Sequence, residues 1–277
     1  MLDTRLALVT NVPALTMGEL LRVSAALQKQ LTRDLWPIWG IPATIDAFAT
    51  LEDVPVGYWK VLVVDDVPGP STGVHDWSSS EPVAWVEHGP TWSLAASHEV
   101  LEMIVDPWGQ RLAAGNSPVG NHDRVEFLVE VCDPSGDAQN AYTVDGLLVS
   151  DFYTPQFFDP VQASGVRYSF TGGLDGPRRI VKGGYLSWRD PISGAWFRHH
   201  WFDAERKTEN LGPVPPGAAS VRAFLDAEPR KRRALYRADV GRERQSELDR
   251  ASKGIHDAGH CRAHAVREQT KRGRGRG

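Results

Sequence analysis

One segment of the sequence, residues 97–107, places a histidine and two glutamates at spacings that suit metal chemistry. His98 and Glu102 lie four residues apart, so on a helix their side chains share one face and reach the same ion. Glu99 comes directly after His98, where its carboxylate can take a proton from water that the ion activates. The pattern therefore predicts a metal-binding helix with His98 and Glu102 as ligands and Glu99 as the general base.

The alternative to a metal site is an amphipathic helix that contains a His-Glu pair by chance, because such short patterns are common. Apolar residues at positions 100, 101, 104 and 105 predict that the helix is buried. A buried histidine and two buried glutamates need partners or a metal ion. The apolar strand predicted before this helix and the acidic cluster after it favour the metal site.

A third ligand is expected beyond the helix. Asp106 is eight residues past His98, about 12 Å along a continuous helix, so it is predicted to end the helix. Glu130 is the preferred third ligand because it shares a face with Glu126 on either a helix or a strand. Asp133 is expected to orient His98 through its ring N–H, with Glu126 as the next choice of ligand. A solvated acidic surface is the alternative for this cluster.

The proposed ligands, one imidazole and two carboxylates, determine which ions are expected. Zn²⁺ is the first choice, and the oxygen-rich set makes Mn²⁺ or Ca²⁺ competitive with it. His75 lies in a loop rich in Gly and Ser, where it either lines the cleft or is a solvated loop residue. The histidines at 256, 260 and 264 beside Cys261 superficially suggest a second site, but glycines at 254 and 259 weaken any helix there.

The surrounding elements predict an α+β fold. Strands are expected at 6–10, 42–48, 60–64 and 83–86, and the 60–64 run is apolar enough to lie centrally in a sheet. Thr16 and Glu19 form a capping box for a first helix, which is expected to end near Trp36 and Pro37. The expected arrangement is a mixed sheet packed on the metal-binding helix, with a β-rich second half.

The second half contains short strands and turns. Asp145-Gly146 predicts a two-residue hairpin between 142–144 and 147–149, and a second hairpin is expected between 185–188 and 195–201. Residues 123–132 could form a capped helix or a strand. Residues 69–80 and 109–121 are predicted to be loops.

Charge divides the chain unevenly. Residues 228–277 hold 15 basic and 7 acidic residues, whereas the rest holds 16 basic and 28 acidic residues. The sequence becomes rich in Pro and Gly at residue 210 and then charged, Arg-rich and poor in aromatic residues. Residues 1–209 are therefore predicted to form the zincin-like metal-binding and catalytic domain, and residues 210–277 a basic tail, partly helical or disordered and dispensable for folding. A basic tail suits nucleic acid, an acidic surface or the acidic body of this chain. Without interleaved aromatic residues, nucleic-acid binding is not expected.

Targeting signals are not recognised in the sequence. The first apolar stretch is short, and no run approaches the roughly 20 apolar residues that cross a bilayer. A cytoplasmic protein without a membrane partner is therefore expected, and two widely spaced cysteines do not indicate a disulfide framework.

The segments 98–107 and 130–134 resemble a group of zincin-like metallopeptidases that carry a His-Glu-x-x-Glu helix ending in Asp-Pro. Segments 73–76, 149–152 and 158–160 share the resemblance, which covers roughly residues 5–202. It implies a zincin-like fold and hydrolysis of peptide bonds in a peptide or protein substrate. Glu102 stands where standard zincins have histidine. The alternative function is therefore a non-catalytic metal-binding or interaction protein on a degenerate zincin scaffold.

Overall fold

Strands and helices share the first hundred residues, and short strands dominate the remainder. The computed structural model describes residues 3–67, 72–78, 81–119, 124–218 and 220–226. Its helices are α1 (Met17–Lys29), α2 (Trp36–Trp39), α3 (Trp92–Val105) and α4 (Val221–Asp226). Its strands are β1 (Thr4–Thr10), β2 (Ala43–Ala47), β3 (Trp59–Val64), β4 (Gly73–Ser78), β5 (Glu81–Glu87), β6 (Leu112–Asn116), β7 (Arg124–Leu128), β8 (Tyr142–Val144), β9 (Leu147–Val149), β10 (Tyr185–Arg189), β11 (Trp196–His200) and β12 (Lys207–Gly212). The predicted α+β class is confirmed.

The N-terminal half forms a mixed sheet in the order β2-β1-β3-β5-β4. Strands β2, β1, β3 and β5 run parallel, and β4 pairs antiparallel with β5 at one edge. The central position of β3 is confirmed, since β1 pairs with it on one side and β5 on the other. Strand β4 contradicts the loop predicted for residues 69–80, because pairing with β5 outweighs the weak strand preference of its sequence.

Helix α1 begins at the predicted capping box, in which the Glu19 N–H donates to the Thr16 hydroxyl at 3.3 Å. Its expected end near Trp36 and Pro37 is wrong. A π-helical segment, Gln30–Leu35, follows α1 and leads into α2, which ends at Gly40 with a φ of 67°. Pro37 lies in the first turn of α2, a position that tolerates proline.

Helix α3 follows β5 and packs against β4, β5 and β9. Every residue of α3 after Trp92 is buried, which confirms the predicted burial. The sheet covers one side of α3, and the second half of the chain covers the other. Among the described helices, none combines the length and apolar composition needed to cross a membrane.

The second half contains an antiparallel sheet in the order β12-β11-β10-β7-β6 and a separate β8-β9 hairpin. The predicted hairpin turn is confirmed, with φ angles of 50° at Asp145 and 79° at Gly146. Around residues 123–132, where either a helix or a strand was expected, the structure has strand β7. The apolar side chains of β7 face the core. Strand β6 contradicts the loop predicted for residues 109–121, because it pairs with β7 along its full length.

The predicted boundary between residues 209 and 210 falls inside β12. Beyond β12, Leu225 of α4 is fully buried and packs with Leu128 and Trp196. The body therefore continues at least to residue 226, because the second sheet and α4 share one apolar cluster. Residues 227–277, including the histidines and cysteine considered as a second metal site, lie outside the described residues.

Two truncations test this revised boundary. A chain that ends at residue 209 is expected to melt about 10 °C or more below a chain that ends at residue 226. The shorter chain lacks the apolar contacts of Leu225. It also lacks Arg222, so the buried carboxylates lose the guanidinium that pairs with them. Differential scanning calorimetry of both chains measures the difference. Equal melting temperatures would show that α4 does not stabilise the body.

Candidate metal centre

Helix α3 brings three ionisable side chains into the interior: His98, Glu99 and Glu102, each at most 3% exposed. His98 Nε2 lies 3.2 Å from Glu102 Oε2, one helical turn away. Two ligands of a tetrahedral zinc ion with bonds of 2.0–2.2 Å are separated by about 3.3 Å. The two side chains are therefore spaced as two ligands of one ion would be.

Strand β4 places His75 above the same face of α3. The His75 ring is 1% exposed, and its Nδ1 lies 3.3 Å from Glu99 Oε2 and 3.9 Å from Glu102 Oε2. The solvated-loop interpretation of His75 is wrong, because β4 is an ordered edge strand over α3. At Gly73, a Cβ would lie 2.8 Å from the Glu99 side chain, so this close approach requires glycine.

The chain that follows β7 supplies the remaining carboxylates. Glu130 and Asp133 are both buried, and Asp133 Oδ1 lies 3.4 Å from His98 Nε2. The backbone N–H of Cys132 donates to Glu102 Oε1 at 3.1 Å and so fixes the orientation of that carboxylate. Glu126 does not join the cluster, because its carboxylate accepts a 3.0 Å hydrogen bond from Arg189 Nε on β10.

Among the described residues, there are three groups of side chains in which the ligand atoms of the group all lie within 4.8 Å of one another. They are His98 with Glu102 and Cys132, His75 with Glu99 and Glu102, and Glu102 with Glu130 and Asp133. Glu102 belongs to all three groups, so it is the centre of the cluster. Glu130 is grouped with Glu102 and Asp133 rather than with His98.

Arg222 of α4 extends its guanidinium into this cluster, and its side chain is 4% exposed. Nη2 lies 2.9 Å from Glu102 Oε2 and 3.8 Å from Glu99 Oε2, and Nη1 lies 2.8 Å from Glu130 Oε2. Nη1 also contacts His75 Nε2. One permanent positive charge therefore touches three carboxylates that come from two different parts of the chain.

The two glutamates of α3 are held in the ionised form. Burial alone would raise the pKa of Glu102, but His98, Arg222 and His75 outweigh it and lower this pKa well below its usual value. Burial is likewise the largest influence on Glu99, and the His75 hydrogen bond with the His98 and Arg222 charges lowers its pKa to about 2. Glu99 is therefore ionised at neutral pH, as a proton acceptor must be.

Glu130 behaves in the opposite way. Burial raises its pKa well above the usual value, and Glu102, Asp106 and Asp133 add to the rise while Arg222 opposes it. Its Oε1 is buried and makes no hydrogen bond within the described part of the chain. The negative charge that the carboxylates of the cluster can carry is therefore larger than the positive charge of the single guanidinium.

Asp106 ends α3 at the position that the sequence predicts. Its carboxylate accepts hydrogen bonds from the backbone N–H groups of Gln110 and Arg111, at 3.0 and 2.9 Å. Asp106 therefore shapes the turn after α3 instead of touching the cluster.

Two members of the cluster were not among the residues chosen from the sequence. Arg222 lies in a segment interpreted as tail, and no local sequence pattern marks it as a buried cation. Cys132 was considered only for disulfides, yet its thiol belongs to the group with His98 and Glu102.

The low pKa of Glu99 predicts how stability depends on pH. Because this pKa falls from 4.5 to about 2 on folding, the ionised carboxylate contributes stability above pH 4.5. That contribution is lost as the pH falls through about 2. Urea unfolding between pH 5 and pH 2 should show a smaller loss for Glu99→Gln than for the wild type. Parallel stability curves would contradict the assignment.

Comparisons with known proteins give no relative on which to base a function. No family model, curated protein sequence or solved structure matches this chain.

Proposed function

We propose that this chain is a metal-dependent hydrolase, a zincin-like metallopeptidase that cleaves peptide bonds. One observation carries the proposal: three buried carboxylates and one imidazole contact a single guanidinium, and His98 and Asp133 lie beside Glu102 at the centre of the cluster. Isolated buried charges are costly unless they are paired or bind a metal. A divalent cation would balance the remaining negative charge.

The residues present fit a divalent ion. His98 and Glu102 supply an imidazole nitrogen and a carboxylate oxygen at ligand spacing, and Cys132 completes a close group of three with them. Glu130, the third ligand expected from the sequence, has a buried oxygen that lacks a hydrogen bond within the described ranges, but it is grouped with Glu102 and Asp133. Asp133 and Cys132 lie close enough to substitute for Glu130. Zn²⁺ is the first choice of ion, and the oxygen-rich set makes Mn²⁺ or Ca²⁺ competitive with it.

A bound divalent ion would supply a Lewis acid that polarises a peptide carbonyl and makes water more acidic. Glu99 accepts the proton of the attacking water, because it is ionised and directly follows the first ligand. It then passes this proton to the leaving amine. His75 contacts the Glu99 carboxylate and holds it in place.

The architecture supports a zincin-like arrangement. The mixed sheet ends in an antiparallel edge strand, β4, and the helix with the candidate ligands follows the neighbouring strand β5 directly. The second half of the chain contributes Glu130, which lies in one close group with Glu102 of α3.

A non-catalytic metal-binding or interaction protein is the second candidate. The contacts of Arg222 with Glu102 and Glu130 favour it, because a guanidinium stabilises the carboxylates without any catalytic role.

A hydrolysis assay separates the two candidates. Full-length protein is freed of metal, reconstituted with Zn²⁺, Mn²⁺ or Ca²⁺, and incubated with casein and a peptide library. The hydrolase proposal predicts cleavage that requires metal and stops when a chelator is added. Metal binding without cleavage of any peptide would favour the non-catalytic candidate.

A further inference from the structure

The guanidinium of Arg222 occupies the same carboxylate oxygens that would bind the metal. Glu102 Oε2 faces His98 Nε2 at 3.2 Å and Arg222 Nη2 at 2.9 Å. Glu130 Oε2 faces Arg222 Nη1 at 2.8 Å. Two of the three proposed ligands therefore point their Oε2 atoms at an internal cation.

An ion held by Glu102 and Glu130 would lie about 2 Å from each oxygen, where the Arg222 guanidinium already makes its two short contacts. The like charges of a divalent ion and a guanidinium repel strongly at such separations in a buried site. Full occupation by one cation thus requires the other to withdraw.

The segment that carries Arg222 can move away from the metal site. Helix α4 has six residues, fewer than an isolated helix needs to be stable, so its order depends on contacts with the body. Those contacts are one apolar cluster, in which Leu225 packs with Leu128 and Trp196 and which Val221 and Phe224 join, a 2.8 Å hydrogen bond from Arg198 Nη1 to the Leu225 carbonyl, and the ion pairs of Arg222 itself. A six-residue segment that docks through one such cluster can open while the rest of the fold persists.

We propose that α4 is an autoinhibitory segment in which Arg222 plugs the metal site. With α4 docked, the guanidinium neutralises Glu102 and Glu130 and keeps a divalent cation from binding both. With α4 undocked, the carboxylates are released and the site accepts the ion. This proposal rests on the proposed metal-dependent function and adds an internal regulator to it.

The test measures Zn²⁺ affinity in four full-length proteins by competition with a chromophoric chelator. Arg222→Met removes the charge and keeps the side-chain length. Leu225→Ala weakens the docking of α4 and changes no group of the site. Arg189→Met is the matched control, because Arg189 pairs with Glu126 outside the cluster.

Arg222→Met is expected to bind Zn²⁺ at least 10-fold more tightly than the wild type. Leu225→Ala should show a smaller gain, and Arg189→Met should match the wild type. Equal or weaker binding by both Arg222→Met and Leu225→Ala would overturn the plug and leave the metal site intact. Absence of Zn²⁺ binding in all four proteins would overturn the metal site and the plug together.

Hydrogen exchange of the wild type gives a second readout that needs no variant. Added Zn²⁺ should increase the exchange of the amides of residues 221–225, because the ion displaces Arg222 and releases α4. If Arg222→Met fails to fold, this measurement and Leu225→Ala decide the question. Unchanged or slower exchange in α4 on saturation with Zn²⁺ would contradict the proposal.

Discussion

Replacing Glu99 with glutamine is expected to reduce peptide hydrolysis by about 100-fold or more, the usual contribution of a general base. The carboxamide keeps the size of the side chain but cannot accept the proton of the attacking water. The rate constant for cleavage of a peptide by the zinc-reconstituted protein measures the effect. Metal content should stay unchanged, because Glu99 is assigned to proton transfer and not to metal binding.

Two results would contradict the role of Glu99. Cleavage by Glu99→Gln at the wild-type rate would remove Glu99 from the mechanism. Loss of metal together with activity would instead make Glu99 a ligand, a role open to it because it forms a close group with His75 and Glu102.

Replacing Glu102 with glutamine is expected to weaken metal binding by more than about 100-fold. Residues that only orient a metal ligand already change affinity by about 10–100-fold, and Glu102 is assigned as a ligand. The substitution also removes a charge that touches His98 and Arg222. Equilibrium dialysis against Zn²⁺, followed by elemental analysis, measures the change.

Glu126→Gln is the matched control for Glu102→Gln. Both changes replace one carboxylate with an amide, but Glu126 is half-buried on β7 and pairs with Arg189 away from the cluster. The control should bind Zn²⁺ like the wild type. If the affinity for Zn²⁺ falls by the same factor in both variants, the effect comes from the loss of one negative charge and not from the position of Glu102.

Local rules predicted the parts of the fold that depend on neighbouring residues. The capping box at Thr16 and Glu19 and the hairpin turn at Asp145-Gly146 are each determined by residues within one turn. The spacing of His98 and Glu102 likewise predicted that they would meet on one face of α3. Each of these features needs only a helix or a turn to form.

Features that depend on pairing between residues far apart in the sequence were not predicted. Strand β4 is ordered because β5 supplies its partner, and residues 73–78 lack the apolar alternation that marks a half-buried strand. His75 was therefore interpreted as a loop residue, although β4 brings it to α3.

Arg222 shows the same limit at longer range. It meets Glu102 across 120 positions of sequence, so no local pattern links the two residues. The Pro- and Gly-rich sequence from residue 210, followed by charged residues, also led to a predicted boundary at 209, on the wrong side of α4. The position of α4 follows from the apolar cluster around Leu225, which only the folded chain reveals.

Anomalous diffraction at the zinc absorption edge, from crystals grown with Zn²⁺, tests the central claim most directly. The metal-site proposal predicts one strong peak about 2.0–2.2 Å from both His98 Nε2 and Glu102 Oε2. In the same crystals, the Arg222 side chain should no longer contact Glu102. A map with no peak at this cluster, and with Arg222 still between Glu102 and Glu130, would contradict the claim that this chain binds a catalytic metal here.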